Sequence, residues 1–452
     1  MRGKAVLWLG NLILIGFVTL NAHYALGLGP LAVGLAVLIA YSSYLAVRGT
    51  RRRSFIAPDE AQVGDLPPSF HPFVSLLVPA KNEARVIAAT IESLSNLNYA
   101  GPNGRQFEII AVDDGSTDDT FAVLKRLQQS MPELVVLRRV ANAMPGKAAA
   151  LNDALPLARG EVMGVFDADA RVAPSFLRRA LPRLVPREVG ALQAQKRVSN
   201  AGRFSDVPLM RPAELLRRSF FLPLLQDIEM LIDTACQIAR SQARGAVDLR
   251  GNGLLVKREA LLAVGGWNNE TLTDDLDLST RLHAAGWLIA FCPEAVVWEE
   301  GVLTWRALFR QRRRWIEGHI RRYLDHADRL VRADIPATLK ADALAFVAEF
   351  ALPMWLFFGL TFWLLSAVAG IAYDPIVCCA IALGNVAMTL PFILTVTWCH
   401  VSRSPRVYPF VVLAVSVYLL HWLPVIIWTV LRLVLLRPQR AWAKTEHVGE
   451  PG

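Results

Sequence analysis

Cysteine is scarce in this chain. Its 452 residues include five, Cys236, Cys292, Cys378, Cys379 and Cys399, and no CxxC pair. That argues against both a disulfide framework and a zinc site, and three of the five fall in apolar stretches where a reduced thiol simply packs. Internal repeats and low-complexity tracts are absent, which excludes solenoid and disordered classes. Charge is also short, but only locally. From about Ala5 to Val47 and from about Leu344 to Leu436 it nearly vanishes, while the middle is charged like an ordinary cytosolic domain.

The composition is 54% hydrophobic with a mean hydropathy of +0.35. Soluble domains are about 45–50% apolar, so the excess points to a membrane protein. A spanning helix needs roughly 20 apolar residues. Ala5–Leu26, Gly29–Val47, Phe350–Ile371 and Pro375–Cys399 satisfy this. The first is too long for a signal-peptide core and is followed at once by another span, so it reads as a retained anchor. Arg2 and Lys4 precede the hairpin and "RGTRRR" (Arg48–Arg53) follows it, which places the N-terminus and the large middle region in the cytoplasm. The net charge of +9 then reads as positive-inside bias and contact with anionic headgroups. The last apolar run, Tyr408–Leu436, is long for one span and short for two. Because the basic tail favours the cytoplasm, a bent or re-entrant path near Pro424 is expected.

Residues 54–72 have the proline-rich polar composition of a linker. Beyond it, "VSLLVP", "FEIIAV", "LVVLRR" and "VMGVF" read as buried strands. Helical patterns at about Glu83–Asn96, Asp118–Ser130 and Lys147–Leu157 lie between them. Alternating strands and helices imply an α/β domain with a mostly parallel sheet covered on both faces. Ligands bind such sheets beyond the carboxyl ends of the strands.

Acidic clusters occupy those ends. "FEIIAV" runs into "DDGSTDDT", and "VMGVF" into "DADA", where Asp167 and Asp169 flank one small residue. A pair of carboxylates at that spacing can share a hard divalent cation and leave positions open for phosphate oxygens. "TLTDDLDLSTRL" opens a helix with Asp274, Asp275 and Asp277. Taken singly, each cluster is equally a turn or a helix cap. Their combination on one sheet, with Lys147 at a Gly-preceded helix start suited to an anion, favours a site.

In order and separation, "VPAKNE", "DDGSTDDT", "GKAAALN", "DAD", "TDDLDLSTRLH" and "QRRRW" resemble the motifs of membrane-embedded family 2 glycosyltransferases. The likeness covers roughly Val74 to Trp315, and the flanking spans fit that family's layout. It implies a GT-A catalytic domain over residues 73–298, with membrane helices at 1–53 and 344–436. Amphipathic interface helices at 299–343 and a cytoplasmic tail at 437–452 complete the layout. Carried over, Asp113 and Asp114 match the positions that hold the nucleoside of a UDP-sugar. Pro79, Glu83, Lys147 and Asp167 fall on further substrate-binding positions, and Asp167 with Asp169 on the Mg²⁺ or Mn²⁺ site. Asp275 matches the general base. Gln311, Arg314 and Trp315 match the motif that closes over diphosphate and acceptor. Gly251, Asn252 and Gly253 fall in the acceptor loop together with Asp274, which stands where the family usually has glutamate.

These residue types suit the chemistry. Inverting transfer needs a carboxylate to take the acceptor's proton, and a cation with Arg or Lys to stabilise the leaving diphosphate. A non-catalytic nucleotide-sugar sensor would not need Asp275. In "QRRRWIEGHIRRYLDH", the arginines from Arg306 to Arg322 other than Arg314 are expected on the lipid-facing side of an interfacial helix. No recognition fold for nucleic acid accompanies them. "RWIEGHIRRYLD" and "EEGV" resemble cyanobacterial monoglucosyldiacylglycerol synthases more than polysaccharide synthases, so the acceptor expected first is a lipid and second a growing glycan.

Overall fold

A computed structural model describes residues 10, 29–50, 66, 70–101, 104–140, 142–202, 219–370, 376–401, 404–405 and 407–435. Nearly all of the expected span Ala5–Leu26, most of the linker and the tail lie outside these residues. Strands are β1 (Val74–Ala80), β2 (Ala100–Gly101), β3 (Gly104–Arg105), β4 (Phe107–Asp113) and β5 (Leu134–Arg138), followed by β6 (Val162–Val165), β7 (Arg171–Val172), β8 (Val189–Val198), β9 (Leu254–Lys257) and β10 (Leu288–Glu299). Helices are α1 (Gly29–Thr50), α2 (Ile87–Ser95), α3 (Thr120–Gln128), α4 (Lys147–Ala154), α5 (Phe176–Ala180) and α6 (Phe221–Gln242). They continue with α7 (Arg258–Ala263), α8 (Asp274–Ala284), α9 (Trp305–Arg332), α10 (Ala337–Val368), α11 (Ile376–Val396), α12 (Tyr408–Leu419) and α13 (Trp422–Leu435).

Eight strands form one sheet in the order β5-β4-β1-β6-β9-β8-β10-β7. The four expected strands are its parallel half, since β4 and β6 flank β1 and β5 flanks β4, all parallel. Their near-continuous apolar sequences follow from burial on both faces. Along β1, Leu76 joins Ile109 and Phe166 in one core layer, and Leu77 joins Ile110 and Met163 in the other. β9 reverses direction between β6 and β8, so the residues before it reach the same edge as the ends of its parallel neighbours.

The apolar segments pack around this domain. α1 crosses α6 so closely that a Cβ on Gly49 would stand 2.0 Å from the Ala235 carbonyl oxygen. Ile316 and Ile320 of α9 pack with Met354 of α10 and with Val425 and Ile426 of α13. Among the described residues, Ala382–Val401 and Tyr408–Leu435 are long and apolar enough to cross a membrane. The second stretch stops as helix at Leu419 and restarts at Trp422, with Pro424 in the first turn of α13. A proline there sacrifices no helix hydrogen bond.

One expectation needs correction. Arg312, Arg321 and Arg322 do not face outward from α9, because each is buried against a carboxylate. Arg312 pairs with Glu229 at 2.5 Å, Arg322 with Asp248 at 2.6 Å, and Arg321 with Glu317. Buried guanidinium groups survive only with such partners.

Candidate active site

The strand ends and loops converge on one cavity of about 710 Å³. Its wall holds Pro79, Glu83, Asp114, Lys147, Asp167, Asp169, Gly251, Asp274, Asp275, Gln311, Arg314 and Trp315. Residues separated by more than 200 positions are thus brought together. Asp113, Asn252 and Gly253 stand behind the wall. The side chain of Asp113 is fully buried, accepting the Ser116 N–H at 3.2 Å and lying 3.5 Å from the Arg138 guanidinium.

Local structure fixes each group. Asn82, in the left-handed region at φ 55°, accepts the Thr117 N–H at 2.7 Å and so ties the loop after β1 to the loop after β4. Asp114 accepts the Gly146 N–H at 3.0 Å and pairs with the buried Arg139. Gly146, at φ 127°, supplies the turn that starts α4. Lys147 then donates to Asp167 at 2.5 Å and to the Gly251 carbonyl at 3.1 Å, bridging β6 to the loop before β9. Asn252 serves that loop from behind. It accepts the Asp167 N–H at 3.2 Å and donates to Glu299 at 3.2 Å.

The electrostatics are those of a crowded polar pocket. Burial, and then the neighbouring Asp274, push the Asp275 carboxyl up to about 6. Asp274 is raised as well, mainly by burial. Burial alone would lower the Lys147 ammonium, but Asp167 and Asp274 hold it above the usual lysine range. Arg314 is lowered by burial while Asp167, Asp275 and Asp274 act on it in the opposite sense. Asp275 is therefore a carboxylate with the proton affinity a base at neutral pH requires.

Asp167 and Asp169 present hard oxygen donors to the cavity, and Asp169 is held by the Glu300 N–H at 2.8 Å. Among the described residues no cluster of three or more potential ligand side chains occurs. A cation here would take two protein carboxylates and leave its other positions to phosphate and water oxygens. That ligand set suits Mg²⁺ or Mn²⁺.

The sequence reading missed several wall residues. Lys196 pairs with Glu299 at 2.9 Å and lies over Trp315, with its ammonium 5.7 Å from the ring centroid. Glu229, Asp233 and Arg250 also line the cavity. A charge set in the apolar run "LLQDIEMLID" was the available signal for the two acids.

The family model described as "Glycosyltransferase like family 2" matches residues 71–318. A beta-monoglucosyldiacylglycerol synthase of Nostoc sp. is 39% identical over 396 residues, covering 84% of this chain and 77% of that protein. The Synechocystis sp. protein of the same description is 43% identical over 272 residues, which are 60% of this chain and 53% of that one. A Staphylococcus epidermidis poly-beta-1,6-N-acetyl-D-glucosamine synthase is 28% identical over 250 residues, 54% of each chain. In fold, the molecule matches the mannosyltransferase PcManGT of Pyrobaculum calidifontis, solved with GDP-Man and Mn²⁺, at a TM-score of 0.56. That match has 20% identity and covers 90% of this chain and 98% of the other. With its carboxylates gathered at the strand ends of a GT-A sheet, the chain belongs to glycosyltransferase family 2 and is a hexosyltransferase.

Proposed function

We propose that this enzyme moves a sugar, with inversion, from a UDP-sugar to the free hydroxyl of a neutral membrane lipid such as diacylglycerol. One observation carries the reading. The cavity that holds Asp275 continues without a break between Pro353, Leu390, Phe392, Leu420, Leu423 and Ile426 of the apolar helices. An acceptor that fills it needs a polar head at the carboxylates and an apolar body behind. Its charge agrees, since ten Asp and Glu stand in the wall against six Lys and Arg, and pairing of Asp114 with Arg139 and of Glu229 with Arg312 behind the wall still leaves a surplus of two carboxylates. With a dianionic diphosphate balanced by a divalent cation, that surplus disfavours an anionic acceptor. The 39% identity to the Nostoc monoglucosyldiacylglycerol synthase supports the same acceptor class.

In the reaction, Asp275 accepts the proton of the acceptor hydroxyl as that oxygen bonds to the anomeric carbon. The bond from that carbon to the diphosphate breaks, and UDP leaves with the electron pair. Asp114 and Glu83 line the donor end of the cavity, while Lys147 and Arg314 supply positive charge where the leaving group develops its own. Asp167 and Asp169 would hold Mg²⁺ or Mn²⁺, which supplies charge neutralisation to the diphosphate. The catalytic domain and N-terminus face the cytoplasm by the positive-inside rule.

A processive polysaccharide synthase is the second reading. Trp315 and Trp422 line the cavity, and aromatic faces stack on sugars. Purified protein in diacylglycerol vesicles, given labelled UDP-sugars one at a time, separates the two readings by thin-layer chromatography. A single mobile glycolipid is expected. An immobile polymer, or no lipid product with any donor, overturns the lipid reading.

A further inference from the structure

Arg312 is the largest fully buried side chain among the described residues. It follows Gln311 directly and stands three residues before Trp315 on α9. Its guanidinium donates to Gln311 Oε1 at 2.9 Å and to Glu229 Oε2 at 2.5 Å. The same group lies over the Trp315 ring at 4.0 Å and the Trp422 ring at 5.4 Å. Glu229, from α6, accepts two more hydrogen bonds, from the Tyr418 hydroxyl at 2.7 Å and from Trp422 Nε1 at 2.8 Å. Tyr418, next to last in α12, and Trp422, first in α13, stand on opposite sides of the α12–α13 break.

One carboxylate therefore gathers donors from three helices, and one guanidinium touches both Gln311 and Trp315. Burying an ion pair gains little stability that apolar residues of equal volume would not. What it adds is a fixed, directional geometry. Burial would raise the Glu229 carboxyl, but Arg312 beside it keeps it below the usual range, so the pair stays charged at neutral pH.

We propose that Arg312 and Glu229 are positioning residues for transfer: together they set Gln311 and Trp315 in the cavity wall and tie that setting to the break between α12 and α13. An acceptor that displaces the break then shifts Gln311 and Trp315 through Glu229. The proposal rests on the transferase assignment and holds for a lipid or a glycan acceptor.

The test uses three variants of the full chain in vesicles: Arg312→Lys, Glu229→Gln and Tyr418→Phe. Lysine keeps the charge but loses the fork and the stacking. Tyr418 is not in the cavity wall, and phenylalanine there removes one hydroxyl, which donates to Glu229 and also bonds with Arg312. A misplaced catalytic group costs of the order of 10² in rate, which is the fall in kcat per folded molecule expected for Arg312→Lys. Tyr418→Phe loses the hydrogen bonds of one hydroxyl to charged groups, and a fall of the order of tenfold is expected. Affinity for the UDP-sugar, by calorimetry, is expected to fall far less than kcat in all three. A merely structural role would lower the melting temperature and leave kcat per folded molecule unchanged; that result overturns the proposal. If Arg312→Lys does not fold, Tyr418→Phe decides alone. Should the wild type reject diacylglycerol, the lipid reading fails, and the same ratios are read from UDP release by hydrolysis.

Discussion

In the proposed reaction, Asp275 shows how one side chain can be fitted to a task and what that fit costs. Its carboxyl titrates near 6 against an ordinary 3.8 because burial, then Asp274, penalise the charged form. The native state thus holds this proton more tightly than the unfolded chain. The penalty is absent below about 4, grows as pH rises to 6 and is complete above it. Transfer rates measured from pH 5 to 8 are expected to rise through about 6, as the base ionises. Asp275→Asn is expected to lower transfer by of the order of 10²–10⁴ while UDP-sugar binding, by calorimetry, stays intact. The same variant should melt higher than the wild type at pH 8, with the gain shrinking toward pH 4; a loss of melting temperature at pH 8 contradicts the assignment. Gly251 is similarly constrained. At φ 79°, an added Cβ would stand 3.0 Å from Asp275 Oδ2 and 3.5 Å from Lys147 Nζ. Gly251→Ala should therefore cut kcat with the protein still folded, which circular dichroism and a transfer assay together check.

At the level of elements, the parallel half of the sheet was legible because strands buried on both faces are written as apolar runs. The other half was not. β8 reads "VGALQAQKRV", and its buried Gln193 and Gln195 interrupt any such run. Gln193 belongs there because it donates to the Asn252 carbonyl at 2.8 Å and accepts the Arg250 N–H at 2.6 Å. β10 carries Pro293 and Glu294, and its pairing with β8 shifts register there. The motif residues of the cavity could be named from sequence, but their supports could not. Arg312 and Arg322 meet acids 83 and 74 positions away, so the spacing along α9 could not show which face was covered by protein. The Arg322–Asp248 pair offers a test of that face. Arg322→Met leaves Asp248 buried without the guanidinium it pairs with, and is expected to destabilise the fold by about 3–5 kcal/mol. Adding Asp248→Leu should recover most of the loss, as read from urea unfolding in detergent micelles. Equal stability of Arg322→Met and wild type would mean that this face of α9 opens to lipid after all.

For the whole molecule, the continuous cavity makes the apolar helices α10 to α13 part of the site. Leu420 and Ile426 line its apolar end. Leu420→Trp or Ile426→Trp should raise KM for diacylglycerol and leave UDP-sugar affinity unchanged, by vesicle kinetics and calorimetry respectively. Excess EDTA is expected to stop transfer, and Asp169→Ala to remove Mn²⁺ binding seen directly by calorimetry. The reversed strand β9 has a separate consequence. A forward strand reaches the working edge at its end and must then turn into a helix that packs on the sheet. β9 instead reaches that edge at its start, so Arg250 and Gly251 enter the cavity wall just ahead of the strand. This stretch is tied to its surroundings on both sides, by Gln193 of β8 to Asn252 and Arg250, and by Lys147 and Asp167 to Gly251 and Asn252. A change in this stretch is therefore felt at once by Lys147, Asp167 and Asp275, so one side of the cavity cannot be altered without the other.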